Sequence, residues 1–147
     1  MVFYDKGRYS DGWRYLEAAP TDQSSDATWA TTSSWARGTA TVIGSGKPNT
    51  DLIVSKQGEG NYAAAQCRNL ALGGYDDWFL PSKDELNQMY VNLKQQNRGG
   101  FASEMYWTSS EDITHHRGEV FVQSFLDGGQ DSTSLFTGGH VRAVRAF

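Results

Sequence analysis

The sequence predicts an α+β fold, and three observations predict it. Short strand-like segments open the chain, a capped amphipathic helix stands in its middle, and a run of extended segments joined by glycine turns closes it. At 147 residues the chain is long enough for one domain with one substantial core. The expectation is therefore a single domain over residues 1–147.

Met1 to Tyr4 reads as the first strand, followed by turn signals at Asp5-Lys6-Gly7 and Ser10-Asp11-Gly12. Trp13 to Ala19 reads as the second, stopped by Pro20. Residues 21–47 are mostly Thr, Ser, Asp, Gly and Ala, but they carry Trp29 and Trp35. Two large aromatic side chains argue for an ordered loop folded back on the core rather than a disordered one.

Asn49 to Gln57 has a good N-cap residue at its start and Gly58 at its end, which predicts a short helix. A second helix is expected from Tyr62 to Leu72, with Ala63, Cys67, Leu70 and Ala71 on one face and Gly73-Gly74 as its stop. The clearest helix begins after Pro81. Ser82 and Glu85 have capping-box spacing, and Leu86, Met89, Tyr90 and Leu93 repeat as one apolar stripe that fades near Asn97.

Beyond it the pattern becomes extended. Met105 to Ser109 and Glu119 to Phe125 are strand candidates, with Asp127-Gly128-Gly129 as a hairpin turn. Ser132 to Phe136 returns, Thr137-Gly138-Gly139 turns again, and His140 to Phe147 forms the last strand. Trp78, Leu80, Leu86, Met89, Tyr106 and Trp107 are expected to share one interior.

Composition removes several functions. Against 17 Asp+Glu there are 13 Lys+Arg, so the basic excess that phosphate backbones require is missing and nucleic acid is not an expected partner. No run approaches the ~20 apolar residues of a membrane span, so no membrane insertion is expected. The immediate apolar strand at Met1, with no export signal before it, reads as an excerpt from a longer protein. Cys67 is the single cysteine, which excludes an intrachain disulfide and the usual structural zinc sites. It is expected to be a buried, inert thiol. Five Trp, seven Tyr, seven Phe and 16 Gly suit a loop-rich binding fold with large anchoring side chains.

Catalytic constellations are thin. His115-His116 would point to opposite sides of a strand, with no third metal ligand fixed by spacing, so a solvated loop that contacts ligand is the preferred reading. Asp76-Asp77 could bind calcium, yet after Gly73-Gly74 they read more simply as turn residues. Ser82 is explained by capping, and Ser109-Ser110 have no base assigned to them. Arg142 and Arg145 are read as salt-bridging residues whose stems cover apolar surface. No cofactor is expected, and nothing in the spacing indicates calcium.

Three segments carry a resemblance. Gly73-Gly74-Tyr75-Asp76-Asp77-Trp78-Phe79-Leu80-Pro81-Ser82-Lys83-Asp84-Glu85-Leu86, then Tyr106-Trp107-Thr108-Ser109-Ser110-Glu111, then Val141-Arg142-Ala143-Val144-Arg145 occur in that order. With the opening Val2 to Gly7 and Gly12 to Pro20, the chain resembles the bacterial family that includes the carboxy-terminal domain of the Legionella collagen-like adhesin. The resemblance implies a C-type-lectin-like fold, a twisted antiparallel sheet with flanking helices, long ordered loops and paired terminal strands. It also implies adhesion at a secreted or cell-surface location, and a homotrimer.

The family is distantly related to formylglycine-generating enzymes, whose chemistry needs two active-site cysteines, so the single Cys67 excludes it. The sugar-binding Glu-Pro-Asn and Gln-Pro-Asp motifs of calcium-dependent lectins are absent too. Related folds serve as retroelement-diversified binding proteins of bacteria and phage, with variable residues late in the chain.

By that analogy the expected ligand-binding residues are Glu111, Asp112, His115, His116, Arg117, Asp127, Gln130, Asp131, Thr133, Phe136 and His140. The expected function is non-catalytic binding of a protein or glycan. The alternative is a structural or trimerising cap on a surface fibre.

Overall fold

The computed structural model describes residues 1–114 and 118–147. Strands β1 (Val2–Ser10) and β2 (Trp13–Ala18) form an antiparallel hairpin closed at Asp11-Gly12. The last strand, β8 (Val144–Ala146), lies on the other side of β2, with Leu16 opposite Ala146 and Ala18 opposite Val144. The two ends of the chain thus meet in one three-stranded sheet of order β1-β2-β8.

A second sheet has the order β3-β7-β4-β5-β6, from β3 (Ser24–Ala27), β4 (Met105–Asp112), β5 (Glu119–Ser124), β6 (Gln130–Ser134) and β7 (Gly139–Val141). Helices α1 (Gly46–Gln57), α2 (Ala63–Arg68) and α3 (Lys83–Asn92) flank these sheets. Curled sheets, few helices and terminal strands that join one sheet on either side of β2 make this a C-type-lectin-like fold.

The α3 capping box is present as read. The Ser82 N–H donates to Glu85 Oε2 (2.8 Å), and the Glu85 N–H donates to Ser82 Oγ (3.4 Å). Glu85 is fully buried and also accepts from the Gly44 N–H (2.8 Å), so the cap pins a distant loop as well.

Several boundaries differ from the expectation. The first helix starts at Gly46, and Asn49 is not its cap. Its buried amide instead accepts from the Ala40 N–H (2.8 Å) and donates to the Ala40 carbonyl (2.7 Å), closing the preceding loop. The second helix ends at Arg68 because Leu72 and Tyr75 pair across a tight turn at Gly73-Gly74, both at positive φ (66° and 82°). The long polar loop contains β3, whose composition gave no strand signal.

The closing strand is two strands. Val141 pairs with Ser24 in one sheet and Val144 with Ala18 in the other. Between them Arg142 is buried. It donates to Asp22 (2.6 Å) and to the carbonyls of Ala19 (3.0 Å) and Gly99 (2.9 Å).

The interior is split rather than shared. Successive residues of a strand face opposite sides. Trp107 therefore joins Trp29, Trp78, Leu80 and Val122 in one cluster. Its neighbour Tyr106 joins Leu86, Met89 and Phe125 in another.

Candidate ligand-binding recess

Where β4 ends, the loop carrying Trp35 folds back against it. Glu111 is only 3 % exposed, and its oxygens are taken up internally. Oε1 accepts from the Ala36 N–H (2.7 Å), while Oε2 accepts from the Arg37 N–H (3.0 Å) and the Thr39 hydroxyl (3.3 Å). The Glu111 N–H donates to Thr39 Oγ1 (2.9 Å). One buried carboxylate thus holds residues 36–39 in a single shape, with charge-assisted bonds that offset its desolvation.

That shape leaves a recess of about 560 Å³ lined by Trp35, Arg37, Gly38, Glu111, Asp112, Ile113 and Gly118. Trp35 is half-buried and tilted against Trp29, ring centres 6.5 Å apart. Trp29 is wholly buried, its indole N–H bonded to the Thr108 carbonyl (2.8 Å).

Gly118 lies against Trp35 so closely that a Cβ there would sit 2.6 Å from the ring, and its φ is +73°. Arg37 is exposed, forms no ion pair among the described residues, and holds a left-handed backbone (φ 53°) that a side chain disfavours. Ile113 is 73 % exposed. An aromatic platform, an available guanidinium, an apolar rim and a rigid floor make a concave site that can hold an organic ligand.

The expected ligand residues fall in three places. Glu111 and buried Asp112 lie at the recess, with Asp112 Oδ1 accepting from the Thr114 N–H (2.9 Å). Asp127, Gln130, Asp131 and Phe136 are exposed on and around β6, and Thr133 is half-buried there. The Gly129 N–H donates to Asp127 (3.0 Å), which with Ser124 holds that exposed carboxyl below the usual range.

His140 is half-buried, its Nδ1 2.9 Å from Asp22, an oxygen shared with the Tyr106 hydroxyl (2.8 Å). That residue serves the interior hub. His115, His116 and Arg117 lie outside the described residues. Since β4, β5 and β6 are adjacent, with Asp112 opposite Glu119 and Glu119 opposite Ser134, the recess is only about 10 Å from one end of β6.

Trp35, Arg37 and Gly118 were not among the expected site residues. The signal for Trp35 was its place in a polar loop. The structure resolves the two tryptophans of that loop, burying Trp29 and leaving Trp35 at the surface.

Other candidates have structural employment. Ser109 Oγ accepts from Asn49 (3.2 Å), and Ser110 Oγ donates to the Ala40 carbonyl (2.7 Å). Asp77 accepts from Arg145 (2.6 Å), and Arg145 also reaches Glu17 (2.9 Å). Cys67 is buried, which pushes its thiol far above the ordinary range. Among the described residues no three His, Cys, Asp or Glu side chains gather to hold a metal ion. No helix among them is long and apolar enough to cross a membrane.

The fold and the recess define a C-type-lectin-like domain with a preformed surface cavity. Residues 18–145 match the Lcl C-terminal domain family, and the chain belongs to that family. It is an adhesin-related bacterial domain. No curated protein matches the chain.

Proposed function

We propose that this domain is a non-catalytic binding module for a protein or glycan ligand, acting at a cell surface or in secreted form. One observation carries the reading. Glu111, buried and fully bonded, holds Arg37 in a strained conformation beside the half-exposed Trp35 ring, over a recess of about 560 Å³. Strain kept in place by a buried charge serves presentation rather than packing.

The exposed positions Asp127, Gln130, Asp131 and Phe136, together with Thr133, extend the contact surface. In a retroelement-diversified binder these would be the exchangeable ones, and a reverse-transcriptase gene beside this one would support that extension.

The test compares the wild type with Trp35→Ala and Arg37→Ala on glycan and protein arrays. A ligand held by the wild type should be held at least tenfold more weakly by both variants, with the unfolding midpoint little changed in Arg37→Ala and lowered, though with cooperative unfolding kept, in Trp35→Ala. If no ligand is retained, or both variants bind as the wild type does, the reading fails.

A homotrimer is the second reading. Exposed Val2, Tyr75 and Phe147 on the outer side of the terminal sheet favour it, with the Arg145 guanidinium 3.4 Å from the Tyr75 ring centre and 5.1 Å from that of Phe147. A strictly monomeric mass in solution at high concentration would remove it.

A further inference from the structure

The strand β6 is the last of its sheet, and its outer side has no partner strand among the described residues. The Ser124 N–H donates to the Gly129 carbonyl (2.8 Å), and the β5–β6 register runs without a shift from Gln123↔Gln130 to Glu119↔Ser134. Main-chain bonds alternate along an antiparallel pair. Asp131 and Thr133 therefore exchange theirs with β5, while Gln130, Ser132 and Ser134 direct theirs outward.

Two outward groups are occupied locally. The Ser132 N–H donates to Asp131 Oδ1 (2.8 Å), and the Ser134 carbonyl accepts from the Thr137 N–H (3.2 Å). The Gln130 N–H and carbonyl, the Ser132 carbonyl and the Ser134 N–H bond to no protein group among the described residues.

Edge strands are ordinarily protected by lysine, proline or a bulge, and β6 has none of these. Large apolar side chains flank it in sequence. Leu126 is 72 % exposed and Phe136 55 %. Residues 118–139 contain Glu119, Asp127 and Asp131 and not one Lys, Arg or His. One cation stands near by, Lys83, whose ammonium lies 4.1 Å over the Phe121 ring, on the β5 side of β6 and not on its open edge.

From the open edge, its apolar flanks and its charge, we propose that β6 is a docking edge for a basic, extended polypeptide segment, which adds to the sheet as a sixth strand. This rests on the reading of the domain as a binding module, though not on the recess. Backbone pairing supplies the register, as in other strand-addition complexes. Cationic side chains of the partner meet Asp127 and Asp131. The Asp131 carboxylate now occupies the place of an incoming carbonyl on the Ser132 N–H, and docking releases it to pair with the partner's charge. Five edge residues span about 17 Å, which sets a partner segment of five to seven residues.

The probe is an acetylated, amidated octapeptide of alternating Lys and Val, titrated into the whole chain by calorimetry with amide hydrogen exchange as the second readout. Controls are the same peptide N-methylated at alternate residues and a Glu–Val peptide. Binding is expected together with slowed exchange at Gln130, Ser132 and Ser134, and at least tenfold loss with the N-methylated or acidic peptide. Ser132→Pro removes an outward N–H without touching the β5 ladder, and should weaken binding at least tenfold. Asp131→Lys should do the same, while Trp35→Ala should not.

No binding at millimolar peptide, or equal binding of the N-methylated peptide, overturns the proposal, the latter by showing attraction of charge alone. Should Ser132→Pro fail to fold, the peptide controls on the wild type decide the matter. Loss in Trp35→Ala instead would place the peptide in the recess, refuting the edge while leaving the binding-module reading intact.

Discussion

Glu111 Oε1 lies 2.7 Å from the backbone nitrogen of Ala36, a contact that joins the end of β4 to a loop 75 residues earlier. Both residues are buried, so water cannot replace the carboxylate if it is removed. Glu111→Ala should cost about 2–3 kcal/mol, since it leaves the buried N–H of Ala36 and the part-buried N–H of Arg37 unmet. Urea unfolding followed by tryptophan emission would measure this, and an unchanged midpoint would contradict the role given to Glu111.

Arg37→Gly separates stability from binding. Glycine takes the φ of 53° without strain but leaves the unfolded chain freer. Stability should stay level or rise by up to about 1 kcal/mol while ligand affinity falls. A clear loss of stability would mean that the side chain itself holds the loop.

Asp22→Ala strikes the interior hub. It would leave Arg142 buried with carbonyl partners only and take a partner from Tyr106 and His140. Leaving a buried charge unpaired costs about 3–5 kcal/mol. The Tm of this variant should fall by well over 5 °C.

Glu85 gives the chain a pH signature. Burial raises its carboxyl above the ordinary range, against the pull of the Ser82, Gly44 and Gly46 N–H groups. A raised acid binds its proton more tightly when folded, so its contribution is most favourable below the unfolded value near ~4.3 and is lost as pH rises through the folded value. The stability of the wild type relative to Glu85→Gln should therefore decline as pH climbs above about 4.3 and then level off. A relative stability that rises over that interval would reverse the sign assigned to this residue.

Cys67 offers a reporter. Fully buried and held protonated, it should resist alkylation in the folded protein and react only when the chain opens. Its labelling rate should then track global unfolding measured by urea.

Local chemistry explains what could be read in advance. The Ser82–Glu85 cap, the Leu86-to-Leu93 stripe and the Asp127-Gly128-Gly129 hairpin depend on neighbours within a few residues, and each stands where the pattern placed it. The turn at Thr137-Gly138-Gly139 leads instead into β7, which pairs with β3 and β4 rather than with β6, and β1 runs on through Asp5-Lys6-Gly7 to Ser10. Strand β3 and the break at Arg142 depend on partners more than a hundred positions away, and Ser-Ser-Asp-Ala carries no periodic signal of its own. The recess was half legible. Glu111 and Asp112 were named from the family analogy, whereas Trp35, Arg37 and Gly118 come together only through the fold-back of a polar loop.

The terminal sheet has a mechanical consequence. Strands β1 and β8 both run antiparallel to β2, so they run parallel to each other on its two flanks. A pull on the two chain ends in opposite directions would load both ladders in shear, with their rungs resisting together instead of unzipping singly.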